Sequence, residues 1–76
     1  MPQDHLITPA QCRAARALLA MAQEDLAKSA RVASKTVVRF EKGETAKAST
    51  AQVLRFALER SGVRFLTDNG VSMRAA

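Results

Sequence analysis

The chain contains no tryptophan and no tyrosine, and only one cysteine and one histidine among its 76 residues. The single Cys12 excludes an intrachain disulfide, and Cys12 and His5 together supply too few side chains for a protein-only zinc site. The sequence also has no glycine-rich phosphate loop and no set of converging carboxylates. We therefore expect no enzymatic activity, no metal and no cofactor.

Long apolar runs are missing as well. No stretch approaches the roughly 18 apolar residues that a membrane span requires. The N-terminus carries Asp4 and has no apolar signal region. We expect a protein of the bacterial cytoplasm, located at the nucleoid, with no membrane partner.

Positive charge is abundant by contrast. Twelve Lys and Arg residues against seven Asp and Glu residues give a formal net charge of +5. A basic domain this small favours an anionic partner: nucleic acid first, then an anionic membrane or an acidic protein. The content of 47% hydrophobic and 4% aromatic residues is typical of one small helical domain rich in Ala and Leu.

The N-terminal part of the chain predicts an arm followed by a helix. Residues 1–7 form the arm, and Thr8 and Gln11 have the spacing of a capping box that opens a helix to about Ala20. One face of this helix carries small and apolar residues, with Arg16 at its edge: Cys12, Ala15 and Leu19. Cys12 is thus predicted to be a small core residue and not a reactive thiol.

Two short helices joined by a tight turn follow. The second helix is predicted from Gln23 to about Ser29, the turn at residues 31–33, and the third helix over residues 34–42, ended by Gly43. Two short helices arranged in this way, the second one basic, form a helix-turn-helix.

The third helix carries a like-charge pair, Lys35 and Arg39, four residues apart. Such a pair weakens an isolated helix by roughly 0.2–0.5 kcal/mol. The repulsion is relieved if the helix lies in a DNA major groove, where both cations face phosphates or base edges. The alternative is that the two residues form only a solvated basic face.

A fourth helix and a β-ribbon complete the prediction. Ser49 and Gln52 suggest a second capping box, which opens a helix to about Arg60 that is ended by Gly62. Its buried stripe consists of Ala51, Leu54, Ala57 and Leu58, and Phe56 points away from that stripe.

In the tail, Asn69 and Gly70 predict a two-residue hairpin turn, which pairs Leu66 with Met73 and Asp68 with Val71. Leu66, Val71 and Met73 would then share one face, and Val63 and Phe65 the other. A ribbon that is apolar on both faces must bury both of them. The helices of the same chain can bury one face. We predict that a second chain buries the other, in a homodimer interface formed by Phe56, Leu66, Val71 and Met73.

The segment CRAARALLAMAQEDLAKSARVASKTVVRFEKGE resembles the phage-repressor and Cro-like, XRE-type helix-turn-helix family. The similarity runs from about Thr8 to Ser61. It is strongest in QEDLA at 23–27, in Val32, in Thr36 and Val37, and in RFEKG at 39–43. It implies a mainly α fold, a small bundle of four or five helices, here with a C-terminal β-strand or β-hairpin. It also implies binding to operator DNA, usually as a dimer, through a domain at 8–61. The predicted arm at 1–7 and the predicted tail at 62–76 lie on either side of that domain.

The resemblance also implies roles for individual residues. The side chains facing base edges would be Ser34, Lys35, Val38 and Arg39. Val38 is equally well interpreted as a thymine-methyl contact or as an ordinary exposed valine. The side chains facing the DNA backbone would be Gln23, Thr36 and Lys42. Glu41 would pair with Arg16 of the first helix.

The chain departs from the family pattern at three positions. Ala22 and Ala33 stand where Ser or Thr usually caps the second and third helices, and an alanine cap forgoes roughly 0.5–2 kcal/mol. Arg31 stands where the turn usually has Gly, and a non-Gly residue at positive φ costs about 1–2 kcal/mol. These changes affect stability and turn geometry more than the expected DNA binding.

Three functions fit the sequence. The first is a transcriptional regulator that binds an inverted-repeat operator as a homodimer through the helix at 34–42. The second is the antitoxin of a toxin–antitoxin pair, which represses its own operon and holds a toxin on another surface. The third is a protein-interaction adaptor that uses the same fold without recognising DNA.

Overall fold

A computed structural model describes residues 6–45 and 47–74. The described chain forms four helices and one two-stranded antiparallel sheet, as the sequence predicts. In chain order the elements are α1 (Pro9–Leu19), α2 (Gln23–Ala30), α3 (Ser34–Glu41), α4 (Ala48–Arg60), β1 (Val63–Phe65) and β2 (Val71–Met73).

Helix α1 begins with the predicted capping box. The Gln11 backbone N–H donates to Thr8 Oγ1 at 3.1 Å, and the Thr8 backbone N–H donates to Gln11 Oε1 at 3.0 Å. The preceding arm is shorter than predicted, because Ile7 is only 4% exposed and belongs to the core. Residues 1–5 of the predicted arm lie outside the described residues.

The junctions of α2 and α3 show the predicted departures. Ala22 and Ala33 occupy the N-cap positions, and neither makes a side-chain cap bond. At α2 the Asp25 carboxylate compensates in part, since it accepts from the Ala22 backbone N–H at 3.0 Å. Arg31 adopts φ of +59°, and Ala20, at the end of α1, adopts φ of +55°. Both residues therefore have the left-handed conformation that glycine would adopt without strain.

Helix α3 ends at a Schellman motif around Gly43. The Gly43 N–H donates to the Phe40 carbonyl and the Glu44 N–H to the Arg39 carbonyl, both at 2.9 Å. Gly43 has φ of +79°, so a glycine at this position avoids strain. The motif fixes Glu44 directly beside the last turn of α3.

Helix α4 has the predicted buried stripe but not the predicted start. It begins at Ala48 with Lys47 as N-cap and no side-chain cap bond, so the capping box of Ser49 and Gln52 is wrong. Ser49 lies in the helical first turn, and a residue there lacks the extended backbone that an N-cap requires. The end is as predicted, since Gly62 follows the helix with φ of +109°.

The predicted hairpin register is wrong. The observed partners are Val63 with Met73, Arg64 with Ser72, and Phe65 with Val71. The turn has positive φ at Asp68 and Asn69, one residue earlier than predicted, and the Gly70 N–H donates to the Thr67 carbonyl at 3.3 Å. Asp tolerates this conformation as Asn does, so the local sequence permits both turns.

The new register changes which residues share a face of the ribbon. Val63 and Phe65 lie on the same face as their partners Met73 and Val71, not on the opposite one. Val63 is buried, and Phe65 and Val71 pack against the core. Leu66 lies beyond the end of β1, so it does not pair with Met73.

The hairpin is attached to the start of α1 by Gln11. This residue is 5% exposed, and its Nε2 donates to the carbonyl oxygens of Leu66 at 2.9 Å and Gly70 at 3.0 Å. The Thr8 hydroxyl donates to Asn69 Oδ1 at 2.6 Å. These bonds position the turn against α1, and the local sequence of the hairpin gives no sign of them.

The core lies between the four helices and the inner face of the ribbon. Its largest fully buried side chains come from α1, α2, α3, α4 and β1: Cys12, Leu26, Val37, Leu54, Leu58 and Val63. Within the described part of the chain, every helix is too short or too polar to cross a membrane.

Candidate nucleic-acid interface

Helices α2 and α3 pack against each other and leave one side of α3 outward. Val37, Phe40 and Glu41 of α3 are buried against the rest of the domain. The residues predicted to contact DNA lie on the other side. Four of them are exposed and two half-buried: Ser34, Lys35, Arg39 and Lys42, then Thr36 and Val38.

The outward side of α3 is basic. Lys35, Arg39 and Lys42 are exposed, as is Arg31 in the preceding turn. These four cations lie along the turn and the helix, where they can bind anionic groups that approach from solvent. The Arg39 side chain is 63% exposed and forms one ion pair, in which its Nε lies 3.6 Å from Glu44 Oε1.

A polar cleft of about 310 Å³ lies beside this helix, between α3 and the start of α4. Hydroxyl groups and two cations make up most of its wall, together with one carboxylate. The lining residues are Thr36, Arg39, Glu44, Thr45, Lys47 and Thr50. The hydroxyl and cationic donors suit phosphate oxygens, whereas the Glu44 carboxylate opposes them.

The buried side of α3 is held to α1 through Glu41. The Glu41 side chain is 3% exposed, and Arg16 binds it in a bidentate manner. Arg16 Nε lies 2.6 Å from Oε2, and Arg16 Nη2 lies 2.7 Å from Oε1. Arg16 Nη1 also donates to the Met21 carbonyl at 3.0 Å. The structure thus contains the ion pair that the resemblance implies.

Three more donors complete the surroundings of Glu41. Gln23 Nε2 donates to Oε1 at 3.0 Å, and the Cys12 thiol donates to Oε2 at 3.2 Å. Arg13 Nη1 donates to the Glu41 backbone carbonyl. The bond from Gln23 was not foreseen, because the resemblance implied only a phosphate contact for this residue. A primary amide has two N–H donors, so one remains for a phosphate.

The charged state of this cluster follows from its contacts. Burial alone would raise the pKa of Glu41, but hydrogen bonds from Arg16, Gln23 and Cys12 and the Arg16 charge outweigh it, so its pKa is lowered. The bond to Glu41 raises the pKa of Arg16. Burial, and then the Glu41 carboxylate, raise the pKa of Cys12, which stays a protonated thiol. Cys12 is fully buried, as predicted for a core residue.

The residues predicted to form a dimer interface do not lie on one face of the ribbon. Val71 packs against the core of its own chain, so its predicted place on the outer face is wrong. Leu66 and Met73 are 45% and 46% exposed, but they lie towards opposite ends of the ribbon. Phe56 is 62% exposed on α4, and the guanidinium carbon of Arg60 lies 5.3 Å from its ring centroid.

No group of three or more His, Cys, Asp or Glu residues among those described is arranged to hold a metal ion. The outward side of α3 presents exposed basic and hydroxyl donors, and a buried ion pair holds the helix to α1. Comparison with protein-family models and with curated proteins finds no match to this chain.

Proposed function

We propose that this protein is a sequence-specific DNA-binding transcriptional regulator. The observation that carries the proposal is the arrangement of α2, a tight turn and α3, in which α3 presents a basic side outward and buries Glu41 on its other side. It acts on double-stranded DNA of the bacterial nucleoid, in the cytoplasm, without an enzymatic step and without a cofactor.

Recognition depends on α3 lying in the major groove. Lys35 and Arg39 donate to guanine O6 and N7, Ser34 contacts a base edge, and Val38 packs on a thymine methyl group. Thr36 and Lys42 contact the phosphates of the DNA backbone. Gln23 donates its second amide N–H to a phosphate, while Glu41 fixes the plane of that amide through the first.

The protein acts as a homodimer on an inverted repeat. Dimeric helix-turn-helix modules contact two half-sites whose centres are about 34 Å apart. Phe56, Leu66 and Met73 are among the exposed apolar residues and would contribute to such an interface.

Selection of bound oligonucleotides from a random pool tests the proposal first. We expect an inverted repeat with half-sites about one helical turn apart. Failure to enrich any sequence, together with a weak salt dependence, would favour the protein-interaction adaptor over a DNA-binding regulator.

Variants then separate base contacts from backbone contacts on the selected site and on scrambled DNA across a salt series. Lys35→Ala or Arg39→Ala should remove roughly 1–3 kcal/mol of discrimination. Lys42→Ala should weaken all sequences alike and lower the salt slope by about one unit per subunit. Gln23→Ala should weaken all sequences with little change in slope. If neither Lys35→Ala nor Arg39→Ala changes the affinity ratio, α3 does not recognise the bases.

Analytical ultracentrifugation tests the dimer. Leu66→Lys should convert a dimer to a monomer, whereas Leu18→Lys, at an exposed leucine (47%) of α1, serves as the matched control. A wild-type protein that is monomeric at tens of micromolar, or a Leu66→Lys dimer, contradicts this interface.

An antitoxin is the second candidate. Phe56 favours it, because this exposed aromatic residue lies on a helix that carries none of the proposed base contacts and is free to bind a toxin. The test is to express the protein with the product of the neighbouring gene. A toxin should be neutralised by the wild type and not by Phe56→Glu. Analytical ultracentrifugation of Phe56→Glu then separates loss of toxin binding from loss of the dimer, because Phe56 is also proposed to contribute to the dimer interface.

A further inference from the structure

We propose that Glu44 is a specificity-determining residue: it holds Arg39 in position to bind guanine and opposes contacts between Arg39 and phosphates. This inference rests on the proposed function and deepens it. It begins from the ion pair of Arg39 Nε with Glu44 Oε1 at 3.6 Å, on the outward side of α3.

The position of Glu44 is set by the backbone. The Schellman motif at Gly43 brings the Glu44 N–H to within 2.9 Å of the Arg39 carbonyl. The residue that follows the helix end is thereby placed against the residue in the last turn that is proposed to contact bases. Because both side chains extend from this fixed junction, the carboxylate accompanies the guanidinium wherever α3 docks.

Charge explains what this carboxylate would do on arbitrary DNA. Glu44 is the one acidic residue among the described residues that line the cleft beside α3, where the other charged side chains are Arg39 and Lys47. A phosphate entering this cleft meets the Glu44 carboxylate, and like charges placed together at an interface are costly. Arg39 can bind that phosphate only in competition with Glu44. Both effects lower the affinity for non-specific DNA.

On the selected site the same ion pair leaves Arg39 able to bind guanine. Glu44 approaches the guanidinium from Nε, which leaves the two terminal nitrogens for guanine O6 and N7. The pair persists in the complex and limits the directions in which Arg39 can point. Glu44 therefore penalises the specific complex less than the non-specific one.

The test is the affinity of wild type and of Glu44→Gln for the selected site and for scrambled DNA at one salt concentration. Glu44→Gln should tighten binding to scrambled DNA by roughly three- to tenfold and change the affinity for the selected site less, so the ratio falls. Asp68→Asn is the matched control. It removes one negative charge from the hairpin turn and retains a residue that tolerates φ of +60°, and it should leave the ratio unchanged.

A second pair of variants tests whether Glu44 acts through Arg39. In an Arg39→Ala background, adding Glu44→Gln removes only the repulsion between Glu44 and phosphates, so both DNAs should bind somewhat more tightly and the ratio of affinities should stay unchanged. Equal tightening of both DNAs by Glu44→Gln alone would reduce Glu44 to a general electrostatic effect and overturn the proposal. A changed base preference in the Arg39→Ala background would mean that Glu44 contacts a base itself, which also overturns it. A wild-type ratio of one would instead refute the proposed function.

Discussion

Helix α1 holds two neighbours by unlike means. On the side that faces α3, Arg16 and Cys12 bind the buried Glu41 carboxylate. At its N-terminal end, Gln11 and Thr8 hold the hairpin through hydrogen bonds between uncharged groups. The first attachment depends on charge and the second does not.

The two attachments differ in how much free energy is lost when one partner is removed. A buried carboxylate without its cation is far more costly than an unpaired neutral carbonyl, because a charge loses much more solvation free energy on burial. The charged attachment therefore permits fewer orientations of α3, the helix proposed to contact DNA. The hairpin attachment tolerates small adjustments. The two attachments should respond very differently to loss of one member.

Loss of the carboxylate should have the largest effect. Glu41→Ala strands Arg16 beside the core and should lower the free energy of unfolding by about 3–5 kcal/mol in urea denaturation. The expected value lies towards the lower end, since the Arg16 side chain is 20% exposed and reaches water more easily than a fully buried cation.

Two controls define the source of that effect. Glu44→Ala removes a carboxylate of the same helix end whose ion pair is exposed, and it should cost less than about 1 kcal/mol. In a double-mutant cycle, Arg16→Ala and Glu41→Ala should couple strongly. Additive effects in the cycle would contradict the importance of this pair for stability.

Acid should weaken the charged attachment and leave the neutral one intact. The pKa of Glu41 is lowered in the folded protein, so its contribution to stability is fully present above the pKa of the unfolded carboxyl, about 4.3. As the pH falls below that value, the unfolded chain takes up the proton first, and the contribution is lost through the folded pKa. Urea denaturation from pH 6 to pH 3 should show wild type losing stability relative to Glu41→Gln. Parallel curves for the two proteins would refute the prediction.

Loss of the neutral attachment should have a smaller effect. Gln11→Ala leaves the Leu66 carbonyl without the Gln11 donor, leaves the Gly70 carbonyl with the Leu66 N–H as its remaining donor, and removes half of the capping box, which should cost about 1–3 kcal/mol. Gln52→Ala on α4 is the matched control, since Gln52 is exposed and should change stability little. Hydrogen exchange should be faster at the hairpin in Gln11→Ala but not in α3. Equal acceleration in both regions would mean that the attachments are not independent.

The features that the sequence predicts are those encoded within a few residues. The capping box at Thr8 and Gln11 and the helix ends at Gly43 and Gly62 each follow from local backbone chemistry. The positive φ of Arg31 was implied by the resemblance, whose pattern has Gly at this turn position. The Arg16–Glu41 pair spans 25 residues, and it was implied by the resemblance together with the position of Arg16 at the edge of the core face.

The hairpin register could not be predicted in the same way. Asp68, Asn69 and Gly70 all accept positive φ, so two adjacent turns are locally acceptable. The predicted and the observed registers place opposite faces of β2 beside Val63 and Phe65. The observed turn is accompanied by bonds from Gln11, 55 and 59 residues away, to Leu66 and Gly70. Because Gln11 is distant in the sequence, the hairpin sequence itself contains no pattern that reveals which of the two turns is favoured. The dimer surface inferred from the wrong register was incorrect at Val71 for this reason.

A change outside both attachments should have the smallest effect and provides a reference for them. Arg31 has φ of +59°, a conformation that costs an L-residue about 1–2 kcal/mol. Glycine avoids this cost, but its unfolded chain is more flexible, which offsets part of the gain in the free energy of unfolding. Arg31→Gly should therefore raise the free energy of unfolding by about 1 kcal/mol. Ala20→Gly, at φ of +55° and also exposed, is a matched control with the same expected gain. If Ala20→Gly stabilises the protein and Arg31→Gly does not, the Arg31 side chain itself stabilises the turn. If both gains come from the backbone, the two variants should have the same free energy of unfolding. If the Arg31 cation also contacts a phosphate, Arg31→Gly should weaken DNA binding and Ala20→Gly should not.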